Sequence, residues 1–331
     1  MKHHNDKLAT IMTALLTAAL VGCGDDDSAS TGSLSVLLEP EDTIVEGLQP
    51  GSSGESIQDG WAVSFDRYVV TIGHIDVHLA TDESVEADAE DVFAVDLTQL
   101  EPAGLELWTL DDMQEGRWEL HYETPGAAHG AIPHESVSMA DFDAMAVSDF
   151  TYLIDGTLSK LDGQSCPPAA IASAGDREPN GATSGDNDCY DAPEVRFTFG
   201  ATVETVYGPC EIDEVPGFAI TAGQTETIAL TIHGDHIFFN GFPTGDEGGV
   251  MRLAQWLADC DLDLDGTVTR EELEAITPAE LPELDPERYQ LGGASFDTMY
   301  DYVIAQLKDQ GHFQGEGECA VDGEAHDHGS D

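Results

Sequence analysis

Between about residues 33 and 240, apolar positions recur mostly every second residue, the period of a strand whose side chains alternate between two faces. Trp61-Ala62-Val63-Ser64-Phe65 alternates in this way, and 68–79 continues with apolar and β-branched residues. The phase changes near Gly73, which predicts a bulge or bend there. Shorter runs follow at 92–97 and 105–110. In 117–123, Trp118, Leu120 and Tyr122 face one way and polar residues the other, as in a half-buried antiparallel strand. Further strands are expected at 151–159, 195–207, 218–221 and 225–239, with one short helix at 141–147. Many short strands separated by Gly, Pro and Asp turns predict a mainly β fold. The expected form is an antiparallel β-sandwich, single or divided into two stacked subdomains.

The pattern changes near residue 247. Val250, Leu253, Leu257 and Cys260 have helical spacing, which predicts a helix over about 249–260. A second helix begins near Arg270 and is broken early by Pro278 and Pro282. Ser295 can cap a last helix whose apolar stripe is Met299, Tyr302, Val303 and Leu307. Two segments lack periodicity. Residues 160–193 are rich in Gly, Pro, Ser, Asp and Asn and are expected as a disordered-like surface insertion, and 314–331 as a mobile acidic and His-containing tail. The divisions are therefore 1–22, 23–33, the β region 34–245, the helical module 246–313, and the tail.

Candidate chemistry concentrates between the first two predicted helices. Asp261, Asp263 and Asp265 offer three carboxylates at every second residue, Gly266 permits a sharp turn, and Glu272 offers a fourth carboxylate. This string resembles the calcium loop of EF-hand proteins at every diagnostic position. The resemblance implies ligands from Asp261, Asp263 and Asp265, the Thr267 carbonyl, a water held by Thr269, and a bidentate Glu272. It also implies that Val268 makes a short backbone bridge to a partner loop. No second complete loop exists in the sequence, so 285–293 is the expected degenerate partner, with Tyr289 or Leu291 opposite Val268, and one calcium ion is expected. The inner residues 263–268 are also similar to the nucleophile motif of haloacid-dehalogenase-type phosphatases. That motif needs a buried strand before its first Asp, whereas helical spacing precedes this one.

The first residues change the expected location. Lys2 and Lys7 precede an apolar stretch over 8–21, too short for an ordinary membrane span and typical of a secretory signal. Leu20-Val21-Gly22-Cys23 resembles the bacterial lipobox, which implies cleavage before Cys23 and its acylation. Residues 24–33 then read as a polar tether. The expectation is an exported protein of the cell envelope, lipid-anchored to a bacterial membrane, the outer one favoured over the inner. A formal net charge of -55 argues against nucleic acid as a partner. Export implies oxidising conditions, so disulfides are expected, paired as Cys166–Cys189 and Cys210–Cys319. Cys260 remains outside them, on the buried stripe.

His233-Gly234-Asp235-His236 follows a predicted strand, and the Cys210–Cys319 pairing would bring His312 towards it. A zinc or copper site of His233, His236 and His312 is one reading, and a polar turn that docks the C-terminal module is the other. His74 and His78, on one strand face about 13 Å apart at ~3.3 Å per residue, are too distant to share a metal. No nucleophile elbow, His-Glu-x-x-His or phosphate loop is present. Taken together, the sequence resembles uncharacterised bacterial EF-hand lipoproteins. It predicts a calcium-binding, lipid-anchored protein whose β-sandwich is an interaction module and whose calcium is structural. The alternatives are a zinc- or copper-handling protein and a carbohydrate hydrolase without a recognisable motif.

Overall fold

The longest alternating segment becomes the longest strand, Ala62–Leu79. The computed structural model describes residues 30–242, 250–284, 289 and 295–322. The first half of Ala62–Leu79 pairs antiparallel with Tyr152–Ser159 and Phe93–Asp96, and its second half with Asp82–Ala89 and Gly116–Thr124. The exchange of partners occurs where the sequence phase slips. The register with Gly116–Thr124 shifts between Gly73 and Asp76, and His74 has φ +50°. A Cβ on Gly73 would come within 2.6 Å of the Asp91 carbonyl, so the bulge depends on that close backbone approach.

This large sheet extends through Glu194–Ala201 on one side, and through Thr205–Ile212 to Glu318–Val321 on the other. A smaller sheet has the order Gly311–Phe313, Thr225–Ile232, Thr31–Pro40, Leu105–Gln114. Leu34, Val36, Leu38, Ile228 and Leu230 of the small sheet share one buried cluster with Val70, Ile72, Trp118 and Leu120 of the large sheet. The fold is thus mainly β with several sheets, as the alternation predicts.

It is not wholly antiparallel. Thr31–Pro40 runs parallel to Thr225–Ile232, and Arg196–Thr198 runs parallel to Thr267–Thr269. Both pairs join segments far apart in sequence, which gives the chain length that a parallel crossover needs. The strand expected over 225–239 stops at Ile232 and gives way to a 3₁₀ turn, Gly234–Phe238. The one expected over 195–207 is two strands, because the Thr151 hydroxyl accepts a hydrogen bond from the Val203 amide at the break.

The helical region departs further from expectation. Of the helix expected over 249–260, only Gln255–Ala258 is helical among the described residues. The Met251 and Leu253 amides donate to the Asn240 side chain and the Phe238 carbonyl, and Asn240 N–H donates to the Met251 carbonyl, which holds this stretch extended. Leu253, Leu257 and Cys260 are nevertheless fully buried. Arg270–Ala275 begins where expected. The last helix, Met299–Leu307, is capped by Thr298 with Asp301 rather than by Ser295. Among the described residues, then, the segment 261–272 lacks the pair of long flanking helices that the EF-hand resemblance implies.

Both disulfides match the expected pairing. Cys166–Cys189 staples the 160–193 segment, which carries short paired strands at Gln164–Ser165 and Tyr190–Asp191. Cys210–Cys319 ties Glu318–Val321 to the large sheet, so part of the expected tail is a paired strand. Cys260 lies outside both bridges, buried, with its thiol donating to the Trp256 carbonyl. No described helix is long and apolar enough to cross a membrane. The signal segment, Cys23 and most of the tether lie outside the described residues, although the strand Thr31–Pro40 already takes up the end of the tether.

Candidate functional site

The segment 261–272 turns because each early carboxylate accepts a backbone amide a few residues ahead. Asp261 Oδ2 accepts from Gly266 N–H at 3.0 Å, Asp263 Oδ1 from Asp265 N–H at 3.1 Å, and Asp265 Oδ1 from Thr267 N–H at 2.8 Å. Leu264 and Gly266 have φ of +57° and +89°, which curls the backbone between them. Asp261, Asp263 and Asp265 thereby each bring one oxygen within 4.8 Å of the others. Two ligands at roughly 2.3–2.6 Å from one calcium ion are at most about 5.2 Å apart, so this spacing fits a shared ion.

Asp261 is 1 % exposed, and its Oδ1 accepts no hydrogen bond. Burial pushes its carboxyl up to about 6, opposed by the Gly266 amide and reinforced by Glu272, Asp265 and Asp263. Asp261 is thus a buried carboxylate with Asp263 and Asp265 converging on it and Glu272 nearby. Glu272 is held at the rim: Oε1 accepts from Leu262 N–H at 2.9 Å and Oε2 from the Thr269 amide at 2.8 Å. The Thr269 hydroxyl also donates to Oε2, and the Glu272 amide donates back to that hydroxyl, closing a capping box on Arg270–Ala275. The oxygens that accept one bond each retain a second lone pair for a ligand bond, whereas Glu272 Oε2 already accepts two from Thr269.

Of the expected partner segment 285–293, only Tyr289 is among the described residues. Thr267–Thr269 pairs with Arg196–Thr198 of the large sheet, with Val268 opposite Phe197. Tyr289 is buried in the same core cluster as Val268, and Leu291 lies outside the described residues. The Arg196 amide donates to the Gly266 carbonyl at 2.9 Å, at the tip of the turn. Sequence reading missed Phe197 because strand–loop pairing across this distance leaves no local signal.

The second constellation also assembles. His233 caps the 3₁₀ turn Gly234–Phe238, His236 lies inside it, and His312 sits on Gly311–Phe313, opposite Thr231. All three imidazoles are buried, and one nitrogen of each lies within 4.8 Å of the others. Beside them, Asp235 and Arg252 form a buried ion pair, with Arg252 Nε donating to Asp235 Oδ2 at 2.5 Å. Glu41, which no sequence motif marked, groups with His233 and Asp235. Burial, then the Asp235 charge, pushes Glu41 up to about 8.

His74 and His78 do not join a site. Each lies near a carboxylate of its own, Glu90 and Asp76 respectively.

No family model, characterised protein or solved structure matches this chain. The chemistry must be argued from the two clusters themselves.

Proposed function

We propose that the loop 261–272 binds one calcium ion, and that the ion holds the loop in the conformation that docks on the large sheet. The observation that carries this reading is the convergence of Asp261, Asp263 and Asp265 within 4.8 Å around an Asp261 oxygen that is buried and accepts no hydrogen bond. Asp261, Asp263 and Asp265 would supply carboxylates, Thr267 its carbonyl, Thr269 a bridging water, and Glu272 the closing carboxylate. Calcium would supply the positive charge that the three clustered carboxylates, with Glu272 nearby, lack.

The role is structural rather than that of a switch. A sensor needs two long helices that change angle, whereas here four-residue and six-residue helices flank the loop and Val268 is fixed to a β-strand. Such a site suits the affinity range of extracellular modules, on the order of 10⁻⁴–10⁻³ M. Export and acylation at Cys23 are part of the proposal on the strength of the leader sequence, with the β-rich body as an interaction module presented outside the cytoplasm. Cys23→Ser should lose the mass of the acyl chains and release the protein from membranes.

The calcium reading is tested by thermal unfolding with and without calcium. The ion should raise the melting temperature of the native protein. Asp261→Ala combined with Glu272→Ala should abolish that rise, and an unchanged rise in the double variant overturns the assignment.

A further inference from the structure

We propose that His233, His236 and His312 form a second, separate site for one divalent transition-metal ion of the imidazole-preferring class, with zinc as its simplest occupant. The three side chains are only 3 %, 2 % and 6 % exposed. Ring centroids are 4.0 Å apart for His233 and His312, 5.2 Å for His236 and His312, and 5.6 Å for His233 and His236. A neutral imidazole offers one ring-nitrogen lone pair to a metal, and three such rings meet here.

The distances suit the ion. Zinc bonds imidazole nitrogen at roughly 2.0–2.1 Å, so two tetrahedral ligands lie about 3.3 Å apart. The nitrogens here already lie within 4.8 Å of one another, and small side-chain rotations complete the contraction. The proton on His233 is also placed. Its Nε2 lies 3.0 Å from the Gly315 carbonyl, which can only accept, so Nε2 carries the hydrogen and Nδ1 carries the lone pair. An imidazole held through its other nitrogen by a backbone carbonyl is the usual support of a metal ligand.

The scaffold is rigid where the ligands sit. The His233 amide donates to the Gln310 carbonyl at 3.0 Å, Gly315 N–H donates to the Thr231 hydroxyl at 3.1 Å, and Thr231 is the ladder partner of His312. The two ligand-bearing segments are therefore fastened to each other on both sides of the cluster, which keeps the cost of ordering the ligands low. Charge and access agree with this. Asp235 Oδ1 is buried and accepts no hydrogen bond, and Asp235 and Glu41 both bring an oxygen within 4.8 Å of a His233 nitrogen. A pocket of about 550 Å³ lined by Glu41, Asp235, Arg252, Glu316 and His233 gives a route to the cluster. Three histidines with an open approach leave the fourth coordination position for water or a small ligand.

The test uses the full-length protein, stripped with chelator, dialysed against zinc and analysed for metal by mass spectrometry. About one zinc per chain is expected. His233→Gln and His312→Gln should each weaken binding by more than the roughly 10–100-fold that loss of a merely supporting contact costs. Asp261→Ala with Glu272→Ala should retain the zinc, which separates this site from the calcium loop. Absence of zinc from the native protein overturns the proposal, and so does undiminished zinc in His233→Gln/His312→Gln, which would place the ion elsewhere in the chain. X-ray absorption on the zinc-loaded native protein decides the matter even if the variants fail to fold. Three imidazole nitrogens at roughly 2.0–2.1 Å support the site, and fewer than three overturn it.

Discussion

At the scale of single residues, the interior tolerates little added volume where strands cross. Gly156 lies opposite Phe197 in the ladder, and a Cβ there would stand 2.3 Å from Phe197 Cζ and 2.6 Å from the Ser64 carbonyl. Gly156→Ala should therefore destabilise the protein by about 1–3 kcal/mol, the usual cost of overpacking, read as a lower midpoint in urea. His121 makes a different prediction. Burial lowers its imidazole below the usual value, followed by opposing contributions from Asp76 (raising), His78 (lowering) and Glu119 (raising). The folded state then binds fewer protons than the unfolded one just below the unfolded value of about 6.5, so stability falls as pH drops through that window. His121→Gln should flatten this part of the stability–pH curve, compared by urea unfolding at several pH values. An unaltered slope would assign the dependence to other groups.

At the scale of elements, the pairing of Thr267–Thr269 with Arg196–Thr198 fastens the proposed calcium loop to the sheet. Phe197→Ala and Leu120→Ala both empty buried space, at about 3–5 and 2–5 kcal/mol respectively. Only the first removes the side chain opposite Val268. Calcium titration at a temperature where both variants remain folded should show weaker binding for Phe197→Ala alone, and equal affinities would deny the coupling. This scale also shows where the sequence is legible. Period-two alternation located Ala62–Leu79 and its bulge at Gly73, because a half-buried strand writes its two faces into the chain. The helical spacing of Leu253, Leu257 and Cys260 correctly marked buried residues and misjudged the backbone. Spacing reports which side chains are hidden, whereas the contacts of 251–253 with Phe238 and Asn240 decide the conformation. The carboxylates of the loop were legible because they are local, and Phe197, Glu41 and the Asp235–Arg252 pair were not, because they meet only in space.

Across the whole molecule, two covalent links and a large negative charge act in opposite directions. The Cys166–Cys189 and Cys210–Cys319 bridges span sequence separations of 23 and 109 residues. The chain-entropy model assigns about 3.4 kcal/mol to the shorter loop and about 4.8 kcal/mol to the longer. Replacing both cysteines of the longer bridge with serine should accordingly lower stability more than the same change in the shorter one, compared by guanidinium unfolding. The reverse order would show that strain or residual structure outweighs loop closure. A net charge of -55 repels itself in the folded state, so monovalent salt should raise the unfolding midpoint even with calcium held saturating.

The parallel pairing of Thr31–Pro40 with Thr225–Ile232 also sets a clock on biosynthesis. Ser33 must wait for Thr225, its ladder partner 192 residues later. At ribosomal rates of about 5–20 residues per second that delay is on the order of 10–40 s. Leu105–Gln114 arrives sooner and can protect one edge of the strand, but the other edge stays open until Thr225–Ile232 emerges. A nascent chain in this interval offers an unsatisfied β edge to any neighbour, and the electrostatic repulsion between polyanionic chains is its own safeguard against that encounter.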